Sequence, residues 1–129
     1  MDKILCVGIV GIGGFIGASL RYLISTGAAK IFKSDFSFGT LIVNVIGAVL
    51  IGFIMQLSIK SSFITPNMKL FLTTGILGGL TTFSTFSFET VSLFQSGRYF
   101  LCFSNIILNL SLSLLGVFIG ALIGRCLKT

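Results

Sequence analysis

Four apolar runs, each about as long as a bilayer is thick, constrain this chain more than any other feature. They extend from about Ile4 to Thr26, Phe38 to Ile59, Leu70 to Phe94 and Tyr99 to Gly124. A helix of about 20 apolar residues crosses the hydrocarbon layer. In lipid every backbone N–H and C=O has to be paired inside the protein, so the runs are read as helices and not as an open sheet. The breaks "AAKIFKSD", "IKSSFITPNMK" and "QSGR" hold most of the charge and turn signals. Pro66, the only proline, stands just ahead of the third run, where a helix-start residue belongs. The expected fold is an all-α integral membrane protein, a single transmembrane domain over residues 1–129 with four spans at about 4–26, 38–59, 70–94 and 99–124.

Composition supports that class. Only 9% of residues are charged, against roughly 25% in soluble domains. The first run is too long for a signal peptide and lacks a basic leader and a cleavage site, so it is expected in the mature chain. The net charge of +6 would suggest nucleic acid in a soluble protein, but here the cations cluster at span ends and no nucleic-acid partner is expected. Lys3, Lys60, Lys69, Arg125 and Lys128 fall on one side of the bilayer, and Lys30, Lys33 and Arg98 on the other. That bias is modest and permits insertion in both orientations.

Cys6, Cys102 and Cys126 are isolated and read as inert thiols. There is no histidine, which removes the commonest general base and metal ligand. No nucleophile, base and oxyanion donor can be assembled, so an enzyme is not expected.

Glycines recur four apart: Gly13 and Gly17, Gly75 and Gly79, and Gly116, Gly120 and Gly124. Such ladders let helix backbones approach closely in lipid. Four helices leave little room for a pore between them. A transport path would therefore run along a subunit interface, most economically in a dimer.

Polar residues stand where lipid forbids them. Thr40 and Asn44 share one face of the second run, and Asn105, Asn109 and Ser113 continue at the same spacing in the fourth. They serve either as interhelical glue or as the lining of a path. Arg21 is either a snorkelling or carbonyl-capping side chain or a fixed charge that attracts an anion. Glu89, the only acid well inside a span, either pairs with a cation such as Arg21 or lines a vestibule.

The stretch "GGLTTFSTFSFET" puts a glycine pair and a β-branched Thr81-Thr82 pair inside the third run. Glycine costs about 1 kcal/mol in a helix interior relative to alanine. A break near mid-membrane is expected there, tolerated only within protein or facing water. The carbonyl end of the first half suits a cation, and the N–H end of the second suits an anion. Phe83 and Phe86 then project to similar sides, with Ser84, Thr85 and Ser87 beside them. Ring edges carry partial positive charge. Ring edges and hydroxyls together make an electropositive lining with no full charge, suited to a small hard anion.

In "GGFIGASLRY", "GTLIVNVIG" and "GILGGLTTFSTFSFE" the chain resembles the Fluc (CrcB) family of fluoride-specific channels. The resemblance covers the whole chain, least tightly in the fourth span. It implies an antiparallel, dual-topology homodimer in the cytoplasmic membrane that passively exports fluoride. It places the family's fluoride pathway on Asn44, Phe83, Phe86, Ser84 and Thr85, with Thr40 near one mouth and Arg21 as the family's first-span arginine. Asn109 and Ser113 are the fourth-span candidates. It also implies a structural sodium ion (Na+) at the dimer centre, held by the main-chain carbonyls of Gly78 and Thr81. The rival reading is a small dual-topology multidrug exporter. Those exporters depend on a glutamate in the first helix, where this chain has Arg21. A purely packing or assembly subunit would give no ion flux.

Overall fold

The computed structural model describes residues 2–60 and 62–127, with only the backbone of Lys60. Lys128 and the Lys60 side chain, both counted above for the charge bias, lie outside the described part. The regular elements among the described residues are all helices, with four stretches long and apolar enough to cross a membrane. Helix α1 spans Lys3–Phe32 and α2 spans Phe38–Lys60. The third span is assembled from α3 (Pro66–Leu70), a π-helical segment (Phe71–Leu77), α4 (Gly78–Leu80) and α5 (Phe83–Gln95). Helix α6 spans Tyr99–Cys126.

The helix ends follow local chemistry. The Asp2 carboxylate accepts from the Ile4 N–H at 3.1 Å and starts α1. Thr65 caps α3 by accepting from the Met68 N–H at 3.3 Å, and Pro66 takes the first helical position. Between α5 and α6, Gly97 adopts φ 74°, and the Arg98 N–H closes on the Leu93 carbonyl at 2.9 Å. Glycine reaches that left-handed conformation without a Cβ clash. Arg98 also forms an ion pair with Asp35 across the two turns at that end of the bundle.

Two tight seams organise the bundle. Helix α1 lies on the first half of the third span, where a Cβ on Gly13 would sit 2.8 Å from the Gly75 Cα. A Cβ on Gly79 would sit 2.6 Å from the Gly14 carbonyl oxygen and 2.9 Å from the Ala18 nitrogen. Helix α6 lies on α2, where a Cβ on Gly120 would come within 2.9 Å of the Phe53 nitrogen. The small residues are needed because these backbones touch. A small apolar centre of Val43, Leu77 and Leu80, flanked by Ile24, Ile51 and Ile54, joins α1, α2 and the end of the first half-span. Large apolar side chains such as Phe15, Phe100 and Leu114 are exposed on the outside, as suits a lipid-facing surface.

Candidate functional site at the helix break

The third span is interrupted where the glycine and threonine pairs lead one to expect. Thr81 and Thr82 are extended, at φ −83°, ψ 157° and φ −153°, ψ 119°. β-branched residues favour that region. The Thr81 N–H and hydroxyl both still donate to the Leu77 carbonyl, at 3.0 and 2.9 Å. The Thr82 N–H, which a continuing helix would send to the Gly78 carbonyl, goes instead to Asn44 Oδ1 at 2.9 Å. The Asn44 amide returns a hydrogen bond to the Thr82 carbonyl at 3.2 Å. One side chain thus replaces the helical partners of the broken backbone, which would otherwise be left unpaired at membrane depth. From the opposite side, an Arg21 guanidinium N–H donates to the Thr81 carbonyl at 3.4 Å. Of the two readings open for Arg21, carbonyl capping is the contact made.

Thr82 also starts the second half. Its hydroxyl oxygen accepts from the Thr85 N–H at 3.2 Å, an N-cap, and the hydroxyl donates to Thr85 Oγ1 at 3.0 Å. Ser84 Oγ lies 3.3 Å from Thr82 Oγ1. The residues after the break divide sharply in exposure: Phe83 is 73% exposed and Phe86 only 7%. Their rings are 5.4 Å apart, tilted by 51°. Ser84 and Thr85 are exposed beside Phe83.

An open cavity of about 390 Å³ lies at the break. Asn44, Phe83, Phe86, Asn109 and Ser113 line it, together with Gly78 and Thr81. No charged residue is among its described lining, and Ala48, Ile51, Leu77, Leu110, Leu114 and Val117 make much of its wall apolar. The second N–H of the Asn44 amide donates to Asn109 Oδ1 at 3.0 Å, and the Asn109 amide donates to the Asn105 carbonyl and Oδ1 at 3.1 and 2.9 Å. Asn105 is fully buried, so the fourth-span stripe divides: Asn105 is interhelical glue, while Asn109 and Ser113 reach the cavity.

Thr40 stands apart from this group. It donates to Glu89 Oε1 at 2.8 Å, beside a second cavity of about 160 Å³ that Ser25, Ser37 and Phe38 also line. Glu89 therefore lines a recess and does not pair with Arg21, which is committed to Thr81. Sequence reasoning placed Thr82 only in the helix-breaking pair and missed that its side chain caps α5 and its backbone holds Asn44. Its signal was the second threonine of the pair, in the N-cap position before a polar-aromatic helix.

The fold and the site together define a polytopic α-helical membrane protein with an interrupted helix inside the bundle. The family model described as CrcB-like protein, Camphor Resistance (CrcB), matches residues 8–121. A protein of Clostridium perfringens (strain 13 / Type A) named fluoride-specific ion channel FluC is 61% identical over 127 residues, 98% of this chain and 99% of that one. Proteins of the same name from Clostridium novyi (strain NT) and Shewanella sp. (strain W3-18-1) are 54% and 49% identical. They are matched over 97% and 87% of this chain, and over 98% and 90% of their own lengths. The chain belongs to the CrcB family.

Proposed function

We propose that this protein is a fluoride-specific channel of the cell membrane and that it lets fluoride leave the cytoplasm passively. The observation that carries the reading is the cavity at the break, a largely apolar space in which the polar groups are amides and hydroxyls beside two tilted phenylalanine rings, with no charged group among the described residues that line it. A small anion that enters lipid-depth protein must exchange its water for donors, and full cations would hold it too tightly for exit. Ring edges and hydroxyls supply partial charge instead. The names carried by the relatives agree with this.

Each residue has a part in the proposed path. Phe83, Phe86, Ser84 and Thr85 offer ring edges and hydroxyls on the second half-helix. Asn109 and Ser113 face them from α6. Both Asn44 N–H groups are already used, so a passing anion gains one only by exchange with the Thr82 carbonyl or Asn109 Oδ1. Thr40, with Glu89, marks one mouth. Arg21 keeps the break open through Thr81.

The functional unit is an antiparallel homodimer in this reading. Supporting it is the first turn of α5, where Phe83, Ser84 and Thr85 are all exposed, since hydroxyls at membrane depth call for a protein partner or a wet path. A sodium ion at the dimer centre would use main-chain carbonyls. The fit is reasonable: Asn44 takes the N–H that would have bonded the Gly78 carbonyl, and the Thr81 carbonyl accepts one hydrogen bond and keeps a second lone pair. No cluster of three acidic, cysteine or histidine side chains offers a metal site among the described residues. When bound, the ion would supply a fixed positive charge that holds the two breaks together.

Efflux from liposomes holding purified protein tests the function. Fluoride should leave rapidly and chloride should stay, as read by selective electrodes. Equal passage of both halides would reject the reading, and proton-coupled release of a cationic drug would replace it with the exporter.

A further inference from the structure

The hydrogen bonds that begin at the break continue beyond the cavity and return to α5. The Asn105 amide donates to Thr90 Oγ1 at 2.9 Å, and the Thr90 hydroxyl donates to the Phe86 carbonyl at 2.7 Å. The circuit leaves α5 at its Thr82 cap, crosses α2 at Asn44 and α6 at Asn109 and Asn105, and re-enters α5 one turn on at Phe86. Every donor along it points the same way, from Asn44 to Asn109, Asn105, Thr90 and the Phe86 carbonyl. Neither Asn105 nor Thr90 lines the cavity.

We propose that Thr90 and Asn105 are positioning residues for the ion path, fixing from outside it where the Asn109 amide and Phe86 sit. This rests on the channel reading above. An amide is nearly symmetric in shape, so packing alone does not distinguish its N–H end from its oxygen. Direction in a chain of amides comes from groups that only donate or only accept: the Thr82 N–H and carbonyl fix Asn44, and the Asn105 carbonyl fixes Asn109. The carbonyl of Phe86 accepts only, so the Thr90 hydroxyl must donate to it and present its oxygen to Asn105. That sets the Asn105 amide, which presents Oδ1 to the Asn109 amide and holds it beside the cavity. Removal of the Thr90 hydroxyl leaves the Asn105 N–H in a fully buried place without its acceptor. Reversal of Asn105 recovers no bond, because it would set its N–H against the Asn109 N–H, so the freed Asn105 side chain shifts and takes the Asn109 amide at the cavity with it.

The test is a pair of near-isosteric changes. Thr90→Val keeps the shape and removes the hydroxyl, and Thr90→Ser keeps the hydroxyl and removes the methyl. Fluoride and chloride efflux are measured from liposomes, normalised to protein recovered as a monodisperse species. Thr90→Val is expected to lower fluoride efflux about tenfold or more and to narrow the fluoride-to-chloride ratio. Thr90→Ser should restore both to within about twofold of wild type. A purely structural role would lower recovery and leave the ratio per folded protein unchanged. Should Thr90→Val not be recoverable, Asn105→Ala and Thr90→Ala are read in the same way. Wild-type flux and ratio in the hydroxyl-free variants would overturn the proposal, as would equal damage from valine and serine. A wild-type protein that passes no fluoride would remove the channel reading itself, a result separate from either.

Discussion

The two halves of the third span are built on opposite principles. The first, Pro66–Leu80, is fixed by backbone contact, with Gly75 on Gly13 and Gly79 on Gly14 and Ala18. The second, Phe83–Gln95, is fixed by side-chain hydrogen bonds, with Thr82 on Asn44, Thr90 on Asn105 and Glu89 on Thr40. It also leaves Phe83, Phe88 and Phe94 exposed. The contrast follows from the solvent. Lipid tails are as apolar as leucine, so burial does not drive helices together, and close packing or polar pairing has to do it. The glycine half spends its surface on packing. The polar half leaves surface over, and that surface is where the ion path is proposed.

The comparison is broken most severely at the glycine seam. Gly17→Leu would drive a side chain into the Ile76 backbone, which has no room to yield. The expected outcome is loss of monodisperse protein on size-exclusion chromatography. Normal recovery would show that the first half is not set by backbone contact. Next comes Asn44→Leu, which strips the Thr82 N–H and carbonyl and Asn109 Oδ1 of their partner. At about 1–3 kcal/mol for each unpaired group, thermal stability should fall clearly and fluoride efflux should fall at least tenfold.

Phe83→Ala sharpens the contrast instead. Phe83 is 73% exposed within its own chain, so its loss should leave helix content unchanged and lower the unfolding midpoint less than Asn44→Leu does, while fluoride efflux drops roughly tenfold. Unfolding midpoints as depressed as those of Asn44→Leu would mean that the polar half packs like the other. The smallest effect is expected at the rim. Arg98→Gln breaks the ion pair with Asp35, whose side chains are 46% and 66% exposed, and should cost under about 1 kcal/mol in a denaturation midpoint with no change in efflux.

Much of this was legible in the chain, and the unread part has a common cause. The spans were legible because apolar length is a local property that lipid tests residue by residue. The break was legible because glycine and β-branched threonine weaken a helix wherever they stand. The fate of Asn105 and Asn109 was not. Identical amides four apart read equally well as packing or as lining, and α6 docking on α2 buries the first fully and leaves the second at the cavity. Arg21 and Thr81 are 60 residues apart, and no periodicity relates them. Thr90 gave no signal, since a threonine late in a helix commonly bonds back to its own carbonyls.

The sequence alone determined that this is a four-span helical membrane protein whose third helix cannot run unbroken, because hydrophobic length and backbone preference act on neighbours along the chain. Only the tertiary structure decided which polar groups meet. Hydrogen bonds require their atoms within about 3 Å, and helix docking, not sequence spacing, brings Asn44, Thr82, Asn109 and Thr90 into one circuit.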